Sequence, residues 1–194
     1  MKNTFLSYVV VTVITTFSLT IPASAQDQDS TGVKDTSIVI PIAELPITNV
    51  KATGNKKTKT VTISMDFENR RAGKVDVSLS FGGSDQFSFT SDKGRKYKVH
   101  TYYNKLTDDN PNLGYERISS IQFGTKKFDL ATLLAQQLQA NEKATLTIQA
   151  FQFDTTSKSI VGFHINCSRY YQWGARGKNG SGMYKIHHLP IEWK

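Results

Sequence analysis

Between Thr60 and Phe67 the chain alternates without a break: Val61, Ile63, Met65 and Phe67 are apolar, and Thr60, Thr62, Ser64 and Asp66 stand between them. Successive side chains of a strand point to opposite faces, so this pattern predicts a half-buried β-strand with one wet face. Val75, Val77, Leu79 and Phe81 repeat it, and Asn69 to Gly73 reads as the turn joining the two strands in a hairpin. Ala144, Leu146, Ile148 and Ala150 form a later run that leads into Phe151 and Phe153. Val161, Phe163 and Ile165 follow the polar turn Asp154 to Ser159. Ile38, Ile40 and Ile42 also alternate, but Pro41 and Pro46 confine that stretch to an edge or a bent strand. Phe87 and Phe89 open a strand that stops at Ser91-Asp92-Lys93-Gly94, a composition suited to a tight turn with a left-handed residue. Tyr97 and Val99 lead the return toward Tyr103, residues 104–117 read as a long loop, and Ile121 and Phe123 as a short strand.

In one segment the period changes. Asp129 suits an N-cap, and Leu130, Leu133, Leu134 and Leu138 share one helical face, so Asp129 to Gln139 reads as a helix. Short strands separated by turns, with one helix among them, predict a mainly β fold: an antiparallel β-sandwich with one inserted helix.

The first stretch of the chain has a different purpose. Met1-Lys2 gives a positive start, Phe5 to Ile21 is largely apolar, and Pro22 precedes Ala23-Ser24-Ala25, a small-x-small cleavage site. That order describes a secretory signal peptide over residues 1–25, of the bacterial type, and predicts a secreted or periplasmic product. The rival is an uncleaved anchor, but Ser7, Thr12, Thr15, Thr16, Ser18 and Thr20 dilute the apolar run. No cysteine stands at the cleavage point to carry a lipid. Cleavage leaves 169 of the 194 residues, which suits one domain. We read residues 26–36 as a flexible lead-in and residues 37–194 as a single β-sandwich domain with a basic, aromatic C-terminal segment. No later stretch reaches the length of a membrane span. Cys167 is the only cysteine, which excludes a disulfide scaffold within the chain and requires a sizeable apolar core. It lies two positions past Ile165 and reads as buried.

From about Thr58 to Asn166 the order of features resembles the immunoglobulin-like extracytoplasmic domains of the DUF4352 type. The shared marks are an early strand ending in Asn, here Val61 to Asn69, and a D-x-G turn before an aromatic, here Asp92-Lys93-Gly94 and Tyr97. A late strand after a charged lead-in follows, here Glu142-Lys143 and then Ala144 to Phe153. The chain departs from that pattern between Tyr102 and Ala140 and again after Cys167. The resemblance implies an immunoglobulin-like fold and an extracytoplasmic accessory or binding role, and it brings no catalytic residues.

Catalytic patterns are thin. There is no nucleophile elbow, no phosphate-cradling loop and no cysteine pair at metal spacing. His187 and His188 are adjacent and point to opposite faces of a strand, so chelating one metal together requires a bend. His164 stands between Phe163 and Ile165, on a face expected to be wet. Asp108-Asp109-Asn110 carries oxygen ligands but reads as a solvated turn beside Pro111. No metal, cofactor or catalytic residue is expected.

Basic residues are the more informative group: 24 Lys and Arg against 16 Asp and Glu, a formal charge of +8. They cluster as Lys51, Lys56, Lys57 and Lys59, then as Lys93, Arg95, Lys96, Lys98 and Lys105, and again after Thr155. Such groups favour encounter with polyanions, although lysines also protect strand edges. In the tail, Tyr170, Tyr171 and Trp173 stand beside a Gly-rich loop carrying Arg176 and Lys178. Aromatic rings stack on sugars and the cations hold carboxylate or phosphate, so Tyr171, Trp173, Arg176 and Lys178 are the expected ligand contacts. The competing reading tucks Tyr171 and Trp173 onto the core, and Trp193 is expected to pack.

The expected function is therefore that of a non-enzymatic binding or accessory module. Its partner is a protein, an acidic or neutral glycan, or another polyanion. Two alternatives remain: a metal-dependent or hydrolytic enzyme using His100, His164 or His187, and a structural subunit of an envelope assembly.

Overall fold

The computed structural model describes residues 35–81, 87–99, 115–128, 133–170 and 180–194. Thirteen strands run through them: β1 Ser37–Val39, β2 Ile47–Asn55, β3 Thr60–Glu68, β4 Val75–Ser80, β5 Phe87–Ser91, β6 Lys96–Val99, β7 Tyr115–Phe123, β8 Lys126–Lys127, β9 Leu133–Leu138, β10 Lys143–Ala150, β11 Ser159–Tyr170, β12 Gly180–His187 and β13 Leu189–Trp193. Among the described residues there is no helix.

The fold is mainly β, as the alternation requires, but its connectivity differs from a purely antiparallel sandwich. The sheet is mixed: β13 pairs with β2 in parallel, and so does β6 with β7. Following the pairings from β11 through β13, β2, β3, β10, β7, β6 and β5 returns to β11, so eight strands close into a ring. The twelve-residue β11 makes this possible. One of its edges takes β13 and then β12; the other takes β5 and then β4. A bulge between Ile160 and Gly162 resets its parity, so Ile160 and Phe163 are both buried while Val161 is only half-buried. The simple Val161, Phe163, Ile165 alternation expected from sequence is corrected by that extra residue.

Two further expectations are corrected. The strands on either side of Asn69–Gly73 do not form a hairpin: β3 pairs with β2 and β10, whereas β4 pairs with β11 and β9. The segment expected to be a helix is a strand over its described part, β9, running antiparallel to β4 from Val75↔Leu138 to Ser80↔Leu133. Leu134 and Leu138 point inward at period two with Gln136 between them, while Leu133 is exposed. Pairing with β4, a non-local interaction, outweighs the helical spacing of the leucines. Asp129 lies outside the described residues.

The predicted turn between β5 and β6 is present. Gly94 has φ 77°, its N–H donates to Ser91 O at 2.9 Å, and the Ser91 N–H donates to Arg95 O at 2.9 Å. Asp92 reaches out of this turn, accepting the Lys158 N–H at 3.0 Å.

Inside, Val61, Ile63, Met65 and Phe67 are fully buried with Leu146, Ile148 and Ala150 of the neighbouring strand. Phe67 meets Phe123 and Tyr184 edge-on, each with ring centroids 5.4 Å apart. Phe89, Tyr97 and Phe153 stack in a column, and Trp193 packs against Phe153 at 6.2 Å. Removing one such ring from a closed core costs about 3–5 kcal/mol. The apolar character of these inward positions settles which residues face outward, and that outward set forms the site.

Candidate functional site

Burial of Val61, Ile63 and Met65 turns Thr60, Thr62 and Ser64 to the outside of the sheet, where all three are half-buried. Register then aligns them with their neighbours. Thr62 lies between Thr53 of β2 and Gln149 of β10, Ser64 between Lys51 and Thr147, and Thr60 opposite Asn55. Rows of hydroxyl and amide groups thus cross three strands, spaced about 4.8 Å between strands and about 6.7 Å between rows. A hollow of about 530 Å³ opens over this face, lined by Thr53, Thr60, Thr62, Ser64 and Gln149 together with Lys51, Lys194 and Phe151.

Each of those last three residues is placed by an identifiable device. Lys51 belongs to β2, opposite Ser64. Lys194 is delivered by the docking of Trp193, whose indole N–H donates to Ser157 O at 2.7 Å. Gly54 permits that docking, because a Cβ there would lie within the Trp193 ring. The backbone of Lys194 then bonds on both sides, its N–H to Gly54 O at 2.8 Å and its carbonyl to the Lys56 N–H at 3.2 Å. Lys51 and Lys194 therefore stand toward opposite ends of the hollow, about 13 Å apart along the strand at about 3.3 Å per residue.

Phe151 follows the last residue of β10 and is 52% exposed, the most open large apolar side chain among the described residues. Gln152, at φ 55°, reverses the chain so that Phe153 turns inward while Phe151 stays out. Beyond Ser64 the polar face ends at Asp66. Hydrogen bonds from Thr145 Oγ1 at 2.7 Å and Asn49 Nδ2 at 2.8 Å hold its carboxyl below the usual carboxylate range, assisted by Lys143 and Lys51.

A second hollow, of about 460 Å³, lies beside the first and is lined by Lys59, Arg95, Gln152, Phe153, Asp154 and Thr155. It joins two basic groups that the sequence keeps 36 positions apart. The remaining basic residues do not all serve the surface. Arg169 is buried in an ion pair with Glu44 at 3.0 Å and holds the β11–β12 end against the segment before β2.

The residues expected to bind, Tyr171, Trp173, Arg176 and Lys178, lie outside the described residues, as do His100, Lys105 and Asp108 to Asn110. The strands flanking the first four are antiparallel neighbours up to Arg169↔Gly180. His164 faces Lys185 of β12 and Ser88 of β5, and His187 faces Ser37 of β1. His188 sits at φ 55° between β12 and β13. Among the described residues no group of three or more His, Cys, Asp or Glu side chains is gathered for a metal. Cys167 is fully buried, and burial pushes its thiol up to about 12. Trp193 packs, as expected.

Sequence reading missed the hydroxyl rows, Phe151 and Lys194. The signal for the rows was present in the polar half of the Thr60–Asp66 alternation, which reads only as a wet face until register adds β2 and β10. Chemically, the face offers hydroxyl and amide partners for a polyol, an exposed ring for stacking on C–H faces, and cations at both ends.

No family model matches the chain, and no curated protein matches it. Among solved structures it is similar to the ASH/PapD-like domain of human CEP192 (PapD-like domain 7), with a TM-score of 0.40 and 10% identity over 80% of this chain and 89% of that one.

Proposed function

We propose that this chain is an extracytoplasmic, non-enzymatic binding module of immunoglobulin-like architecture whose β2–β3–β10 face holds a glycan. The observation that carries this reading is Phe151, 52% exposed beside a hollow whose other side chains are hydroxyls, the amides of Asn55 and Gln149, and two lysines. An open aromatic ring on an otherwise polar sheet costs apolar exposure and is suited to stacking on a pyranose. The surrounding Thr, Ser and Gln side chains exchange water for sugar hydroxyls. The secretory signal read in residues 1–25 supports an extracytoplasmic setting.

The test is Phe151→Ala, assayed by retention on immobilised polysaccharides and by melting temperature. A stacking ring contributes about 1–2 kcal/mol, so affinity is expected to fall about tenfold while stability stays within about 0.5 kcal/mol of the parent. Unchanged retention would remove the basis of the reading.

A further inference from the structure

We infer that the hollow between Lys59 and Arg95 is a subsite for an anionic substituent, a carboxylate or a sulfate ester, on the same polymer that crosses the Phe151 face. This rests on the glycan reading and names the class of glycan: an acidic one.

The two cations converge through a shared backbone anchor. The Lys59 carbonyl accepts the Phe153 N–H at 2.9 Å, and Arg95 Nη1 donates to Gln152 O at 3.3 Å, so adjacent residues of one segment fix both. Lys59 holds φ 51° at the end of the β2–β3 connection, which sets the position of that carbonyl. Lys93 lies within electrostatic reach of the same place, since it acts with Arg95 on Asp154. Among the described residues Asp154 is the one carboxylate lining the hollow, and one of its oxygens is engaged locally. Its Oδ1 accepts the Thr156 N–H at 2.9 Å and the Thr156 hydroxyl at 2.7 Å, closing its own turn. Asp154 keeps its charge, so among the described lining residues the two cations Lys59 and Arg95 stand against one carboxylate, and guanidinium and ammonium groups border a space large enough for a carboxylate or sulfate.

Continuity connects this place to the glycan face. Phe151 lines the first hollow and Gln152 and Phe153 the second; Thr58 and Thr60 line the first and Lys59 the second. The two hollows therefore adjoin along residues 151–153, so a chain stacked on Phe151 that continues past the end of β10 runs toward Arg95 and Lys59.

The experiment uses the full chain and three polymers of common backbone: dextran, carboxymethyl-dextran and dextran sulfate. Affinity is read at two ionic strengths. The parent protein is expected to bind at least one charged polymer more tightly than dextran. The double variant Lys59→Gln/Arg95→Gln should lose that increment, roughly tenfold at low salt, with the slope of log affinity against log salt falling by about two. Its binding to neutral dextran should not change. A preference for the carboxymethyl or the sulfated polymer identifies the anion and supports the subsite either way. As control, Lys56→Gln/Lys57→Gln removes the same charge from the same connection at residues that line neither hollow. If that pair costs as much as Lys59 and Arg95, the effect is diffuse charge and the subsite is overturned. Failure of the glycan reading is separate: Phe151→Ala would then leave dextran binding unchanged. Binding to none of the three polymers overturns both.

Discussion

Asn69 offers the sharpest test of how this fold is held together. It is fully buried just past β3, and its amide Nδ2 donates to Gly73 O at 2.8 Å and Gln139 O at 2.8 Å, with Leu138 O at 3.3 Å sharing a proton. Its Oδ1 accepts the Arg71 N–H at 3.0 Å, and its backbone bonds with Glu142 O and the Asn141 N–H. One side chain thus joins the crossover from β3 to β4 with the turn from β9 to β10. Asn69→Ala removes two good donors and one acceptor from a buried place. At about 1 kcal/mol for each of three bonds the loss is about 3 kcal/mol, and at about 2–4 °C per kcal/mol the melting temperature should fall by about 6–12 °C. Asn69→Asp should be worse at neutral pH, because a carboxylate then faces carbonyl oxygens. Its penalty should shrink on acidification, when a protonated carboxyl regains one donor. Thermal melts and urea titrations of the parent and both variants, at pH 7 and pH 5, decide the matter. A loss below about 2 °C for Asn69→Ala, or an Asp variant no worse than Ala at pH 7, would refute the account of this residue as a buried junction.

Other outcomes follow from the same structure. Glu44 is held below its ordinary value, first by its hydrogen bond to Arg169, then by its own backbone and by the Arg169 and Arg71 charges. A carboxyl depressed in the folded state contributes stability that is present above its unfolded value near 4.5 and is lost as pH falls through the folded one, so Glu44→Gln should flatten the acid limb of a stability–pH curve. Cys167, with its thiol pushed up to about 12 by burial, should resist a disulfide exchange reagent at pH 8 in the native protein and react fully in denaturant. In the C-terminal segment, Trp173→Ala should weaken glycan retention and leave the melting temperature nearly unchanged if Tyr171, Trp173, Arg176 and Lys178 are contacts. A large loss of stability would instead assign Trp173 to the core.

The residues that revealed the fold in sequence are those whose pattern is local. Val61 to Phe67 and Ala144 to Ala150 alternate because one face is wet, and Asp92-Lys93-Gly94 marks its turn because Gly94 adopts a left-handed backbone. What stayed hidden is non-local. Nothing in Asn69–Gly73 says that the strands on either side of it join different partners, and nothing in Leu189–Trp193 says that it lies parallel to β2. The β9 leucines imitate a helical face because Gln136, a polar residue, occupies the inward position between Leu134 and Leu138 and packs over Gly124. The site follows the same rule. Its hydroxyls were visible as the wet half of a strand, but the row Thr53, Thr62, Gln149 exists only through pairing, and Lys59 meets Arg95 only through Gln152 and Phe153.

The position of β13 has a consequence for how the molecule is made. Its five residues close the ring of eight by joining β11 to β2, and Ile191 faces Ala52 from the far end of the sequence. Contacts this distant form late, since the loop they close is nearly as long as the domain. Until β13 pairs, the ring is open and β2 presents an unpaired edge on the side away from β3, a template for another strand.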